Sequence, residues 1–364
     1  MVNISIGKNR KKNKKKLILI IAAAFIVLLL AAGMIVTIVM MGQNFSRGDY
    51  TDQRFTVDYY YEHYKADYPR SEVSFKSGEN TLKGFIYGAD NTKGLVVFAH
   101  GIGSGHEGYT KELLWFVDNG WRVFSYDATG SGYSEGDGTR GLPQSALDLD
   151  AALKFAKNDT RLNNLPVFLM GHSWGGYAVT AVLNFDHKIA ASASIAGYNK
   201  PVDMIMEWIE DMGAVRYVMF PFIWTYNKAL FGSNSGLTAV DGINKSNVPV
   251  LIIHGSEDET IGFEKSSIIH QKDNITNPNV RYLPMENIGH NNIFYTKEAL
   301  DYINNQFNVE YKELYEKFDG KIPENELEKI YAECNRELIN TPNEELLTQI
   351  ESFFDENLPK SEVE

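Results

Sequence analysis

Along this chain, short apolar runs alternate with amphipathic stretches, after one long apolar block near the amino terminus. The block, residues 17–41, runs for 25 residues without a charge. As a helix rising about 1.5 Å per residue it would be about 37 Å long, enough to cross a hydrocarbon core of about 30 Å with some tilt. Residues 71–75 and 81–87 alternate apolar with polar about a glycine-containing turn and predict an opening hairpin. Apolar runs at 94–99 and 249–253 then read as buried strands, and those at 121–126, 167–170 and 280–283 as further strands of the kind a parallel sheet requires. Strands and helices alternate from 94 to 196, so the pattern predicts an α/β fold with helices on both faces of a twisted sheet. Two stretches break the rhythm. Residues 199–245 fall between two strands and are dense in Met and aromatic residues, and 295–364 carries helical periodicity at 297–315, 324–338 and 344–354.

Chemistry sits at the ends of the predicted strands. In VFLMGHSWGG (167–176) an apolar run stops at Gly171, Ser173 follows, and Gly175 and Gly176 lead into an apolar helical segment. Strand, sharp turn and helix with a serine at the apex is the context in which G-x-S-x-G places an exposed nucleophile. A nucleophilic serine needs a base, an acid to orient that base, and donors for an oxyanion. The glycine-rich loop after 94–99 (HGIGSG, 100–105) can turn backbone N–H groups inward, so Ile102 and Trp174 are the expected oxyanion donors. Asp258 follows the strand 249–253 and His290 follows 280–283, giving the order Ser…Asp…His. Asp241, Glu257 and Asp127 are rival acids. Asp241 precedes its strand, and Glu257 points away if Asp258 points in. His100, His172 and His254 are carried along by the motifs, His100 as a brace for the loop. No H-E-x-x-H, cysteine cluster or G-x-x-x-x-G-K-[ST] occurs, so neither a metal nor another cofactor is expected.

From about residue 72 to 292 the chain resembles an α/β-hydrolase, and is similar to the branch of monoacylglycerol lipases and serine aminopeptidases. HGIGSG (100–105), DATGSGYS (127–134), GHSWGG (171–176), HGSED (254–258) and IGH (288–290) carry the likeness. It implies an eight-stranded, mostly parallel sheet and the roles of nucleophile, acid, base and oxyanion loop for the same residues. It implies a structural turn for DATGSGYS and a cap over the site for 199–245. Trp174 is bulkier than the residue usual at its place, and its indole is expected to narrow the pocket. Within the cap, Met204, Trp208, Phe222 and Trp224 are expected to bind an acyl group, because flexible Met and aromatic side chains suit variable apolar ligands.

The amino terminus adds a location. Lys8, Arg10, Lys11, Lys12, Lys14, Lys15 and Lys16 precede the apolar block and no acid accompanies them. A cleaved signal peptide would have a shorter apolar run ending in small residues, whereas this one closes on Val39, Met40 and Met41. The expectation is therefore an uncleaved single-pass anchor in the cell membrane, N-terminus cytoplasmic and main domain outside. The organisation expected is a basic segment (1–16), a span (17–41), a stalk or leading segment (42–68) and a hydrolase domain (69–364). The domain would hold the cap (199–245) and a helical extension (295–364) that includes a closing helix. Those amino-terminal cations are among 35 basic residues set against 47 acidic ones, so the remainder is strongly acidic and unsuited to nucleic acid. The single cysteine, Cys334, excludes an intramolecular disulfide.

Three functions compete. A carboxylic-ester hydrolase acting on a lipid acyl group or small ester is favoured by the span and the apolar cap. A serine aminopeptidase would need carboxylates for the substrate ammonium group, with Glu207, Glu210 and Asp211 as candidates. A silent binding protein on the same scaffold is disfavoured by the intact triad.

Overall fold

The computed structural model describes residues 3–103 and 105–359, with side chains from residue 14 onward. Residues 1 and 2, the side chains of 3–13 (Lys8, Arg10, Lys11 and Lys12 of the basic segment among them), Ser104 of the glycine-rich loop and residues 360–364 lie outside the described residues.

The long apolar block forms part of α1 (Asn3–Asn44), followed by the short α2 (Tyr61–Tyr64). The hairpin expected at 71–87 is β1 (Arg70–Ser77) and β2 (Asn80–Tyr87). Then come β3 (Leu95–Ala99), α3 (Thr110–Asp118), β4 (Arg122–Tyr126), α4 (Gln144–Asn158), β5 (Val167–His172), α5 (Trp174–Ala181) and β6 (Ala191–Ile195). The interrupting stretch gives α6 (Pro201–Trp208), α7 (Val215–Phe231) and α8 (Ala239–Ser246) before β7 (Val250–Gly255) and β8 (Val280–Met285). The tail is α9 (Lys297–Tyr302), α10 (Asn308–Lys317), α11 (Glu324–Glu333), α12 (Arg336–Ile339) and α13 (Glu344–Glu356).

The eight strands form one sheet in the order β1-β2-β4-β3-β5-β6-β7-β8. Strands β3 to β8 are mutually parallel and β2 runs against both of its neighbours. The central strands are apolar throughout because both faces are covered. Leu95, Val97 and Ala99 join one core with residues of α4, α5 and α8. Val96 and Phe98, pointing the other way, join a second with Leu113 and Phe116 of α3 and Leu346, Ile350 and Phe354 of α13. Helix α13 is thus the helix that closes the sheet. The parallel strands share one direction, so their C-terminal ends gather Ile102, Ser173, Asp258 and His290 along one edge, where open α/β sheets place their functional groups.

The segment after α1 is integrated into the domain. Phe45 is buried, Gly48 bridges to Ser131, and Arg47 donates to the carbonyls of Gly132, Ser134 and Gly136. Within the insertion, α8 packs on α5 as an ordinary layer helix, whereas α7 packs along the C-terminal part of α1.

Candidate active site

Ser173 sits between β5 and α5 with φ 57° and ψ −112°, a left-handed value costly for a residue with a Cβ. The neighbouring glycines make that turn possible. A Cβ on Gly171 would strike the Gly175 carbonyl, and one on Gly175 would strike the carbonyl of Ala99 on β3. Backbone thus occupies the space that side chains would need.

The three side chains read from the sequence meet. His290 Nε2 lies 2.8 Å from Ser173 Oγ, and His290 Nδ1 lies 2.7 Å from Asp258 Oδ2. All three are buried. Asp258 Oδ1 accepts from the N–H groups of Thr260 (2.9 Å) and Ile261 (2.7 Å), and His254 Nε2 stands 3.1 Å from Oδ2. Burial pushes the Asp258 carboxyl up, but hydrogen bonds from His254 and His290 outweigh it and hold the group well below the usual carboxylate range. The rival acids are engaged elsewhere or exposed. Asp127 accepts from His106 (2.8 Å), Tyr50 (2.6 Å) and the N–H of Tyr133 (2.8 Å), which makes it a tie beneath the loops. Asp241 and Glu257 face solvent.

The backbone N–H groups of Ile102 and Trp174 have no acceptor among the described residues. Ile102 lines the cavity beside Ser173, and Trp174 opens α5, where unsatisfied N–H groups and the helix dipole favour negative charge. Their loop is braced from behind. His100 Nδ1 donates to the Gly101 carbonyl (2.7 Å), and His100 Nε2 accepts from the N–H of Ala128 (2.8 Å). The Gly101 N–H donates to Tyr109 Oη (3.1 Å), whose hydroxyl donates to His172 Nδ1 (2.9 Å). His172 Nε2 in turn donates to the His290 carbonyl (3.1 Å). Burial first, and then the nearby His290, push His172 down to about 3, so it is a neutral strut. Tyr109 escapes sequence reasoning because it lies in a short turn with no motif.

A cavity of about 470 Å³ opens over Ser173 and His290, lined also by Asp58, Ile102, Tyr109, Lys111, Glu112, Phe294 and Tyr295. This wall corrects the expected one. Among the described residues, none of Trp174, Met204, Trp208, Phe222 and Trp224 lines it. The Trp174 indole is turned into the core, donating to the Leu142 carbonyl at 2.8 Å, and does not narrow the pocket. Met204 is buried against Ser266, Trp208 packs near Phe45 (6.2 Å between ring centres), Phe222 lies against Gly33 of α1, and Trp224 is exposed. The physical reason is that α6 and α7 turn their apolar side chains toward α1, the core or solvent. The acids expected to hold an ammonium group are displaced too. Glu207 accepts from the N–H groups of Gly262 and Ser266, Glu210 pairs with Lys265 at 2.6 Å, and Asp211 is exposed. The acids on the cavity are Asp58 and Glu112. Both Glu112 carboxylate oxygens are buried without a hydrogen bond, with Lys111 Nζ 3.8 Å from Oε1.

Comparison with known proteins agrees with this architecture. An esterase of Pyrococcus furiosus, Pf2001, superimposes with a TM-score of 0.51 at 15% identity, covering 75% of this chain and 98% of that one. The topology and the comparison give the chain the α/β-hydrolase fold. Its residues 90–231 match the family model described as serine aminopeptidase, S33. A polyketide transferase, grgF, from a Penicillium species is 26% identical over 132 residues, 35% of this chain and 45% of that protein. An uncharacterised Bacillus subtilis protein, YqkD, is 26% identical over 200 residues, 52% of this chain and 64% of its own length. The matched stretches thus span less than two thirds of either curated relative.

Proposed function

We propose that the protein is a membrane-anchored serine hydrolase that cleaves a carboxylic ester through an acyl-enzyme. One observation carries the reading: the unbroken line of hydrogen bonds from Ser173 Oγ through His290 to Asp258, at 2.8 Å and 2.7 Å. Ser173 Oγ attacks the ester carbonyl carbon while His290 Nε2 takes its proton. The imidazolium is held by the ionised Asp258, and the oxyanion lies against the N–H groups of Ile102 and Trp174. Collapse expels the alkoxide, which takes the proton from His290. A water molecule then repeats the sequence on the acyl-enzyme, releasing the acid and restoring Ser173. The apolar helix α1 supplies the anchor, its 31 residues from Lys14 to Asn44 carrying the span.

A second reading is supported by the cavity wall. The family model is described as serine aminopeptidase, and the carboxylates of half-buried Asp58 and buried Glu112 line the cavity where a substrate ammonium group would need an anion. A panel of p-nitrophenyl esters of rising chain length, run beside aminoacyl-naphthylamides, separates the two. Faster turnover of the esters is expected, and preference for the amides would favour the peptidase. Covalent labelling by a fluorophosphonate, mapped by mass spectrometry, is expected at Ser173. Folded protein left unlabelled there overturns both readings.

A further inference from the structure

Helix α7 has two unlike long sides. Met219, Ile223, Asn227 and Phe231 are buried, a stripe with four-residue spacing that packs inward. Elsewhere on the helix Val215, Tyr217, Val218 and Trp224 are 52–66% exposed, a large apolar and aromatic surface on which, among the described residues, only the neighbouring Arg216 touches Tyr217. From Met212 to Phe231 there is no acidic residue, and Arg216 and Lys228 are the only charges, in a chain of net charge −12.

The helix that α7 lies against says what covers this surface. In α1, Gly33, Thr37 and Met41, again four apart, form the protein-facing stripe, with Thr37 and Met41 buried. A Cβ on Gly33 would come within 2.5 Å of the Phe222 ring, so α7 sits directly on the α1 backbone there. Over the same turns the other side of α1 stays bare, with Ile35, Val36, Ile38 and Val39 each more than half exposed. Gly33 precedes Met41 by eight residues, about 12 Å of helix, well inside the depth of an apolar core about 30 Å thick. A helix seated on that turn shares its level in the bilayer.

We propose that α7 is an interfacial helix, its exposed face embedded in the acyl region of the outer leaflet beside α1, so that lipid covers the insertion and fixes how the hydrolase domain stands on the membrane. The proposal rests on the reading of α1 as the span. Its residue chemistry suits the place: apolar and aromatic side chains face lipid, Tyr217 and Trp224 suit the headgroup boundary, and Lys228 can extend its ammonium to the headgroups. It also accounts for aromatic residues in the insertion that do not reach the cavity.

The test uses the full-length protein in phosphatidylcholine vesicles, in a Cys334→Ser background so that one introduced thiol carries an environment-sensitive fluorophore. Val218→Cys and Trp224→Cys report on α7, Leu28→Cys on the middle of α1, and Lys154→Cys on the exposed face of α4; ester turnover confirms that each is folded. With lipids spin-labelled along the acyl chain, the α7 labels should be quenched at least twofold more than the α4 label, as the α1 label is. Quenching at 28 but not at 218 and 224 overturns the proposal and leaves the anchor standing. Labels at 218 and 224 shielded from aqueous iodide yet unquenched by lipid also overturn it, since a second copy or another protein would then cover the face. No quenching at 28 removes the anchor, and the proposal with it.

Discussion

At the residue scale, the site is set by what each ionisable group meets. Asp258 accepts from two backbone N–H groups and two imidazoles, so its charge is fixed and its orientation over-determined. Asp258→Asn should keep the fold but present the wrong partner to His290 Nδ1, lowering kcat on the order of 10⁴-fold; a drop under tenfold in steady-state ester hydrolysis would move the acid elsewhere. Glu112 is the opposite case. Burial raises its carboxyl to about 7 despite the opposing Lys111 ammonium. Between the ordinary value of about 4.3 and 7, the folded protein holds a proton that the unfolded chain has released. The stability of the native state therefore falls as pH rises through that window, by up to about 4 kcal/mol for a shift of this size. Glu112→Gln removes the titrating group. Relative to the parent it should gain stability between pH 5 and pH 8, read as the difference in urea midpoints at the two values. An equal difference at both would show that the carboxyl does not titrate there.

At the element scale, the carboxy-terminal helices do more than close the sheet. Arg336 of α12 donates to the carbonyls of Gln53 (2.7 Å) and Thr56 (2.6 Å). Asn340 donates to Val57 O (2.8 Å) and accepts from the Tyr59 N–H (2.8 Å). These bonds clamp the segment 53–59, which brings Asp58 to the cavity. Asn340→Ala should release it, raising KM for bulky esters several-fold with little change in kcat for the smallest, since the triad hangs from β5, β7 and β8 instead. Equal losses for both esters would mean the clamp supports the triad itself. The same geometry explains what the chain discloses in advance. Ser173, Asp258 and His290 are legible because each lies within a few residues of a buried apolar run, and strand direction alone brings such positions to one edge. Asp58, Tyr109 and Glu112 are not, because a cavity wall is assembled by contacts between segments far apart in sequence. The apolar pattern of 199–245 was legible as pattern but misleading as purpose: spacing shows which side chains avoid water, and not whether core, substrate or lipid receives them.

At the scale of the whole molecule, charge and apolar surface are segregated along one axis. The amino-terminal cations precede the apolar block of α1, residues 17–41 carry no charge, and the chain beyond is acidic overall. A cluster of Lys and Arg before a span holds that side in the cytoplasm. An acidic body is repelled by anionic headgroups, so on the proposed anchoring attachment comes from apolar contact, first of all from α1. The span should therefore resist what strips electrostatically bound proteins. After alkaline carbonate or 1 M salt, of order-of-magnitude ionic strength that shortens the Debye length to about 3 Å, the full-length chain should stay with the membrane pellet. In intact cells, external protease should remove a carboxy-terminal epitope while an amino-terminal one survives until lysis. Replacing the Lys and Arg of residues 8–16 by Asn should weaken this bias, leaving a fraction of chains with the epitope protected. A carboxy-terminal epitope shielded in every intact cell would place the hydrolase on the cytoplasmic side, and the ester it meets would then have to be sought there.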